Sequence, residues 1–256
     1  MWLRLRQIAL VAAELDPAVK ALREVLGIEV CYNDPGVGRF GLENALLPVG
    51  NQFIEIVAPI EENTAGGRYL ERRGGDGGYM VITQCDDHPP RKQRVKELGI
   101  RLVADSDRHE YRLMQLHPKD SGGTFFEIDE QLGDRAYEPD GPWEPAGGEN
   151  WVKARRTDRV TAITAAEIQC DDPATVAARW SEIAEIPLES RGGVTTMPLE
   201  NATIRFVPCS DGRPEGLGGI DVATANSAAV LEAARASGAY VGDGEVHLVG
   251  MRVRLV

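Results

Sequence analysis

The spacing of apolar positions changes repeatedly along this chain, and the changes come in the same order. Apolar residues dominate Leu3–Val11, with two arginines among them, which predicts a strand. Ala18, Ala21, Leu22 and Val25 then fall on one face of a helix over 17–26, closed by Gly27. Three more strands are predicted at 29–33, 39–48 and 52–57, punctuated by glycine and proline. A second set follows: a strand at 79–84, a helix at 89–98 closed by Gly99, and strands at 101–104, 111–117 and 124–129. Both sets read βαβββ.

The chain also repeats at the level of residues. Asp16-Pro17 opens a helix and precedes Leu42-Glu43-Asn44-Ala45, and Asp172-Pro173 likewise precedes Leu199-Glu200-Asn201-Ala202, the two offsets agreeing within one residue. Gln84-Cys85-Asp86-Asp87 recurs as Gln169-Cys170-Asp171-Asp172, each ending an apolar run where a helix needs an N-cap. Gly77-Gly78-Tyr79 resembles Gly218-Gly219-Ile220. Four modules result, starting near residues 3, 77, 160 and 218, so the expected fold is α+β, with the modules paired into two cup-shaped domains.

Between modules two and three, 138–148 is too rich in proline and glycine for regular structure and reads as a linker, tied to a domain surface by Trp143 and Trp151. The expected division is a first domain over 1–132, a linker over 133–157 and a second domain over 158–256.

Composition narrows the function. The net charge of −12 repels nucleic acid and anionic lipid. No apolar run is long enough to span a bilayer, and the first ten residues lack a signal-peptide core, so a cytoplasmic protein acting on a small molecule is expected, with a homodimer allowed. Cys31, Cys85, Cys170 and Cys209 lie far apart and read as free thiols. The four histidines show no helical zinc spacing.

Paired βαβββ modules, a first helix opened by Asp-Pro, and the segment His117-Pro118-Lys119-Asp120-Ser121-Gly122-Gly123-Thr124-Phe125-Phe126-Glu127-Ile128 together resemble the vicinal-oxygen-chelate superfamily of glyoxalases, bleomycin-resistance proteins and epimerases. That last segment is similar to the methylmalonyl-CoA epimerase branch in particular. In this superfamily two modules form an eight-stranded cup, and side chains on the first and last strand of each module hold a divalent metal. The resemblance implies Gln7, Glu55, Tyr79 and Glu127 at those positions, and the interval from Gln7 to Glu55 equals that from Tyr79 to Glu127. Tyr79 departs from the usual histidine. A neutral phenol is a poor ligand, which leaves Gln7, Glu55 and Glu127: an all-oxygen set suited to Mg²⁺ or Mn²⁺ over Zn²⁺, and equally consistent with no metal.

Strand alternation tests the two acids independently. Glu55 shares a face with Phe53 and Val57, while Ile54 and Ile56 point the other way, and Phe125-Phe126-Glu127-Ile128 repeats the arrangement. A carboxylate between two apolar faces is costly unless paired or metal-bound. Either acid alone could be an edge-strand charge reaching solvent, and Gln7 could be an ordinary hydrogen-bonding residue; matched placement favours one shared site.

In the second half the corresponding positions are Ile163, Arg205, Ile220 and Arg254, which cannot hold a cation. Three readings stay open there: a degenerate structural domain, an anion pocket built on Arg205 and Arg254, or arginines paired with acids such as Glu200 or Glu245. The resemblance implies a lyase or an isomerase/epimerase working through an enediolate, with Glu127 or Glu55 as general base. His117 is a secondary candidate that also suits a turn. The alternative is a metal-free protein that binds or sequesters a small molecule through Phe53, Tyr79, Tyr111 and Phe125, side chains that would otherwise be core packing.

Overall fold

The computed structural model describes residues 2–242 and 244–256. Its first half comprises β1 (Leu3–Val11), α1 (Leu15–Leu26), β2 (Leu42–Val49), β3 (Gln52–Pro59), α2 (Ala65–Arg73), β4 (Gly77–Cys85), α3 (His88–Glu97), β5 (Leu102–Asp107), β6 (Tyr111–Leu116), the single turn α4 (Pro118–Ser121) and β7 (Phe125–Gln131). The second half comprises β8 (Val160–Cys170), α5 (Pro173–Ala184), β9 (Glu189–Arg191), β10 (Val194–Pro198), β11 (Thr203–Pro208), β12 (Gly216–Thr224), α6 (Ser227–Ser237), β13 (Tyr240–Gly242), β14 (Glu245–Leu248) and β15 (Met251–Leu255). Each half builds one sheet, in the orders β2-β3-β1-β4-β7-β6-β5 and β13-β14-β15-β12-β8-β11-β10-β9. This is the expected α+β pair of cups. Among the described residues no helix is long and apolar enough to cross a membrane.

The expected strand at 29–33 does not form. Tyr32 keeps a lone bridge to Leu46. Asp34-Pro35 then diverts the chain into a 3₁₀ turn, Pro35–Phe40, whose Gly36 N–H is met by the Asp34 carboxylate. The first sheet therefore has seven strands and the second eight. Helix α2 was not expected, because its two glycines oppose helix formation. Thr64 caps it, accepting from the Gly67 N–H at 3.0 Å, and it buries Tyr69 in the first cup.

In each sheet two antiparallel strands form the centre, β1 with β4 and β8 with β12, and each takes a parallel partner on its outer side. The β1–β4 ladder is interrupted twice: Arg6 is an extra residue in β1, and Tyr79 is an extra residue in β4. A bulge turns two successive side chains to one face. Arg6 and Gln7 thus both enter the cup, as do Tyr79 and Met80, while Leu5, Ile8 and Val81 point to the opposite face.

That opposite face is shared. A single apolar cluster runs from Leu3, Ile8 and Ile56 in the first half to Ile163, Ile220 and Val253 in the second, so the two cups sit back to back over a common core. Trp180 of α5 is wedged within it, stacked on Phe126 at 4.2 Å and edge-on to Phe206 at 5.7 Å. Two amide side chains stitch the halves reciprocally. Gln52 exchanges two hydrogen bonds with the Ile163 backbone, and Asn201 does the same with Leu5. Two glycines permit the closest backbone approaches, and at Gly250 (φ +67) a Cβ would stand 1.8 Å from the Asp76 carbonyl oxygen.

Gly250→Ala should therefore cost about 2–4 kcal/mol in urea unfolding, from overlap as well as backbone strain. Gly99→Ala has the same sign of φ (+68) but open space around its Cβ, and should cost about 1 kcal/mol. Equal losses would mean that the two halves do not meet as described.

Candidate active site in the first cup

Strand pleating brings the candidate residues together. On the concave face β1 presents Gln7, β2 Asn44, β3 Phe53 and Glu55, β4 Tyr79 and Met80, β6 Tyr111 and Gln115, and β7 Phe125, Glu127 and Asp129. Gln7, Glu55, Tyr79 and Glu127 thus line one hollow, with Phe53, Tyr111 and Phe125 around them. The linker does more than lie on the surface, contrary to expectation. Trp143 and Trp151 are fully buried in the cup, flanking the Arg6 guanidinium, which donates to the carbonyls of Asn51, Pro139 and Gly141.

Glu55 is held by two amides. Gln7 Nε2 donates to its Oε2 at 2.7 Å, and Asn44 Nδ2 donates to its Oε1 at 2.6 Å. Burial pushes the Glu55 carboxyl above its ordinary range, and the two amides offset this only in part. Both amide orientations are dictated by groups that can only donate. The Trp143 indole N–H donates to Gln7 Oε1 at 2.9 Å, and the Asp34 peptide N–H donates to Asn44 Oδ1 at 2.8 Å.

Across the hollow, Glu127 and Asp129 project from the same face of β7. Burial first, then the neighbouring Glu55 charge, pushes Glu127 up to about 7. Burial and the Glu127 charge push Asp129 well above the carboxylate range. The Tyr111 hydroxyl donates to Asp129 Oδ2, but no fixed donor faces Oδ1, although that atom is buried. The adjacent Glu127 carboxyl supplies the missing hydrogen bond when the two acids share one proton, as close carboxyl pairs do. Among the described residues none of the three carboxyls is ion-paired. Glu127 retains 5% exposure and Asp129 none, so Glu127 is the member nearer solvent. The Gln115 amide lies beside it, at 3.3 Å from the Met80 sulfur.

The residues do not fit the expected metal. Gln7 turns its N–H bonds, not its oxygen, toward Glu55, and both Glu55 oxygens already face donors. Tyr79 is a buried phenol pushed up to about 12, packed edge-on to Tyr69 and Phe125. Among the described residues no three or more His, Cys, Asp or Glu side chains are grouped to hold a metal ion. His117 serves a turn: it caps α4, and its Nδ1 accepts from the Lys119 N–H at 3.2 Å.

The second cup is lined by charge. Arg205 grips both oxygens of Asp221, one at 2.8 Å, and lies 3.3 Å from Glu167. Arg252 lies 2.8 Å from Glu167, and Arg254 lies 3.5 Å from Asp221. Of the readings left open for Arg205 and Arg254, pairing with the chain's own acids is the one seen, and these acids are Glu167 and Asp221 in place of Glu200 or Glu245. Ile163 and Ile220 point into the shared core.

Reading the sequence missed Asn44, Gln115, Asp129 and Trp143. Asp129 had a usable signal, since it lies two residues after Glu127 and so shares its face.

The sequence profile of the glyoxalase-like domain matches residues 8–184. Mouse mitochondrial methylmalonyl-CoA epimerase is 25% identical over 130 residues, covering 50% of this chain and 72% of that protein. The human enzyme is 22% identical over 130 residues, covering 50% of this chain and 73% of that protein. A hypothetical protein from Staphylococcus aureus superposes over 100% of this chain and 99% of its own at a TM-score of 0.66 with 14% identity, a likeness of fold.

The raised acids set a pH dependence. A carboxyl whose folded value lies above its unfolded one binds its proton more tightly when folded, so it favours the folded state at low pH. That contribution is lost as pH rises from about 4.5 through about 7. Wild type should lose stability over this window relative to Glu127→Gln, by about 1–3 kcal/mol in urea titrations. A pH-independent difference would mean that Glu127 ionises freely.

Proposed function

The chain belongs to the glyoxalase-like domain family, within the vicinal-oxygen-chelate superfamily, and from that premise we propose that its first cup is an isomerase/epimerase-type site that moves a proton beside the carbonyl of a small substrate. The observation that carries this reading is the unneutralised carboxyl pair Glu127–Asp129 at the wall of a largely apolar hollow. With one proton between them, the pair offers a carboxylate that can take a proton and an acid that can give one.

Glu127, the member of the pair nearer solvent, is the general base that removes the proton from the carbon next to the carbonyl. The electron pair moves onto the carbonyl oxygen, giving an enolate. The Gln115 amide N–H is the donor available to that oxygen, while the proton on Asp129 steadies the Glu127 carboxylate. Return of the proton to the carbon completes isomerisation. Glu55, on β3 of the same concave face, has both oxygens on amide donors and takes no part in this proton transfer. No step runs through a metal, because the ligand set does not fit one. The similarity to methylmalonyl-CoA epimerases suggests acyl-CoA thioesters as the first substrates to try.

A second reading has its own support. Tyr79 stands edge-on to Tyr69 at 4.8 Å and to Phe125 at 5.0 Å, an aromatic cluster at the cup suited to holding a flat ligand without chemistry.

Exchange of the α-proton of methylmalonyl-CoA and related thioesters with D₂O, followed by NMR, separates the two. Wild type should catalyse exchange, and Glu127→Gln should slow it roughly 10²–10⁴-fold. A panel in which flat aromatic compounds raise Tm while no thioester exchanges would remove the isomerase reading.

A further inference from the structure

One side chain outside both sheets contributes to the mismatch between the first cup and the metal site of its superfamily. We propose that Trp143, brought in by the segment between the two sheets, is the positioning residue that closes the first cup to divalent cations by fixing which end of the Gln7 amide faces Glu55.

An amide side chain presents an oxygen at one end and two N–H groups at the other, and its neighbours decide which end faces where. Next to a carboxylate, an amide oxygen completes a ligand set for a hard cation, whereas an amide NH₂ replaces the cation. At Gln7 the choice is made by the Trp143 indole, a group that donates and never accepts. Its bond fastens Oε1 away from Glu55 and leaves Nε2 on Glu55 at 2.7 Å.

Trp143 has little freedom to leave. Its backbone forms a bridge with Gly148, its ring stands edge-on to Tyr111 at 5.5 Å, and the Arg6 guanidinium lies 5.4 Å from its centroid. Two further features act in the same direction. Asn44 covers the other Glu55 oxygen with an amide oriented by the Asp34 N–H. Arg6, the bulged residue next to Gln7, already places a fixed positive charge in the same cup, which disfavours a second cation.

This inference concerns coordination and holds whether the cup moves a proton or only binds a ligand. Its failure would leave proton transfer by Glu127 untouched, and loss of that activity would leave the inference standing.

Mn²⁺ titration tests it on the full chain. In wild type the Trp143 indole N–H resonance and the Gln7 side-chain amide resonances should stay sharp in excess Mn²⁺, and EDTA dialysis should not change Tm. Trp143→Phe keeps the ring and removes the donor, which frees Gln7 to turn its oxygen inward. That variant should bind Mn²⁺ roughly 10–100-fold more tightly than wild type, seen as a Mn²⁺-dependent rise in Tm, and adding Glu55→Gln should abolish the gain. Paramagnetic broadening of the indole and Gln7 signals in wild type, lost in Glu55→Gln, overturns the proposal even if Trp143→Phe fails to fold. A folded Trp143→Phe that gains no Mn²⁺ affinity overturns it as well.

Discussion

A carboxyl placed inside an apolar sheet must find donors, a cation or a proton, and the first cup is organised around that requirement. Left unpartnered, such a group would cost several kcal/mol, a large share of a domain's net stability. Three acids face the hollow, and the chain satisfies them in two different ways. Glu55 takes amide donors whose orientation is set elsewhere, by an indole and a peptide N–H. Glu127 and Asp129 take each other and a proton. The first solution is stable and chemically quiet. The second leaves a proton whose position depends on what enters the cup, which is why the reactive end of the site is assigned to β7 and not to β3.

The second cup meets the same requirement with charge. Glu167 and Asp221 are buried at corresponding depth, and Arg205, Arg252 and Arg254 neutralise them in a connected network. Buried pairs of this kind are costly to break and contribute little net stability compared with apolar packing. Their effect here is that Glu167 and Asp221 each meet at least one arginine, and Arg205, Arg252 and Arg254 each meet a carboxylate. The two halves thus share architecture and a common core, centred on Trp180, while differing in what their concave faces can do.

Much of this arrangement was legible in the chain itself, and the limits were physical. Period-two alternation put Glu55 and Glu127 on the faces they occupy, because a strand's pleat allows only two choices. The repeat exposed the modules because each places a helix after its first strand, although Asp172 and Asn226 cap their helices while Glu14 and Asp87 make no side-chain cap. What alternation cannot carry is a change of phase. The bulges at Arg6 and Tyr79 turn two successive residues inward, and nothing in the local pattern around either announces this. Helix α2 was hidden by Gly66 and Gly67, whose low helix propensity is overridden once Thr64 caps the helix and Tyr69 docks in the cup. The missing strand at 29–33 is a local contest that the Asp34-Pro35 turn wins.

The contact that decides the site's chemistry was the least accessible. Trp143 and Gln7 lie 136 residues apart, and Trp143 sits in a segment whose proline and glycine content argues only for irregular backbone. Irregular backbone is what allows it. A helix or strand would present side chains at fixed intervals along a straight axis, whereas this segment makes a turn at Trp143, with the Glu144–Ala146 3₁₀ helix closed by a left-handed Gly147. That turn aims one indole N–H at one amide oxygen. A chain can therefore keep the family's cup, and the acids that resemble its ligands, and still change the site's character through a residue that belongs to neither sheet.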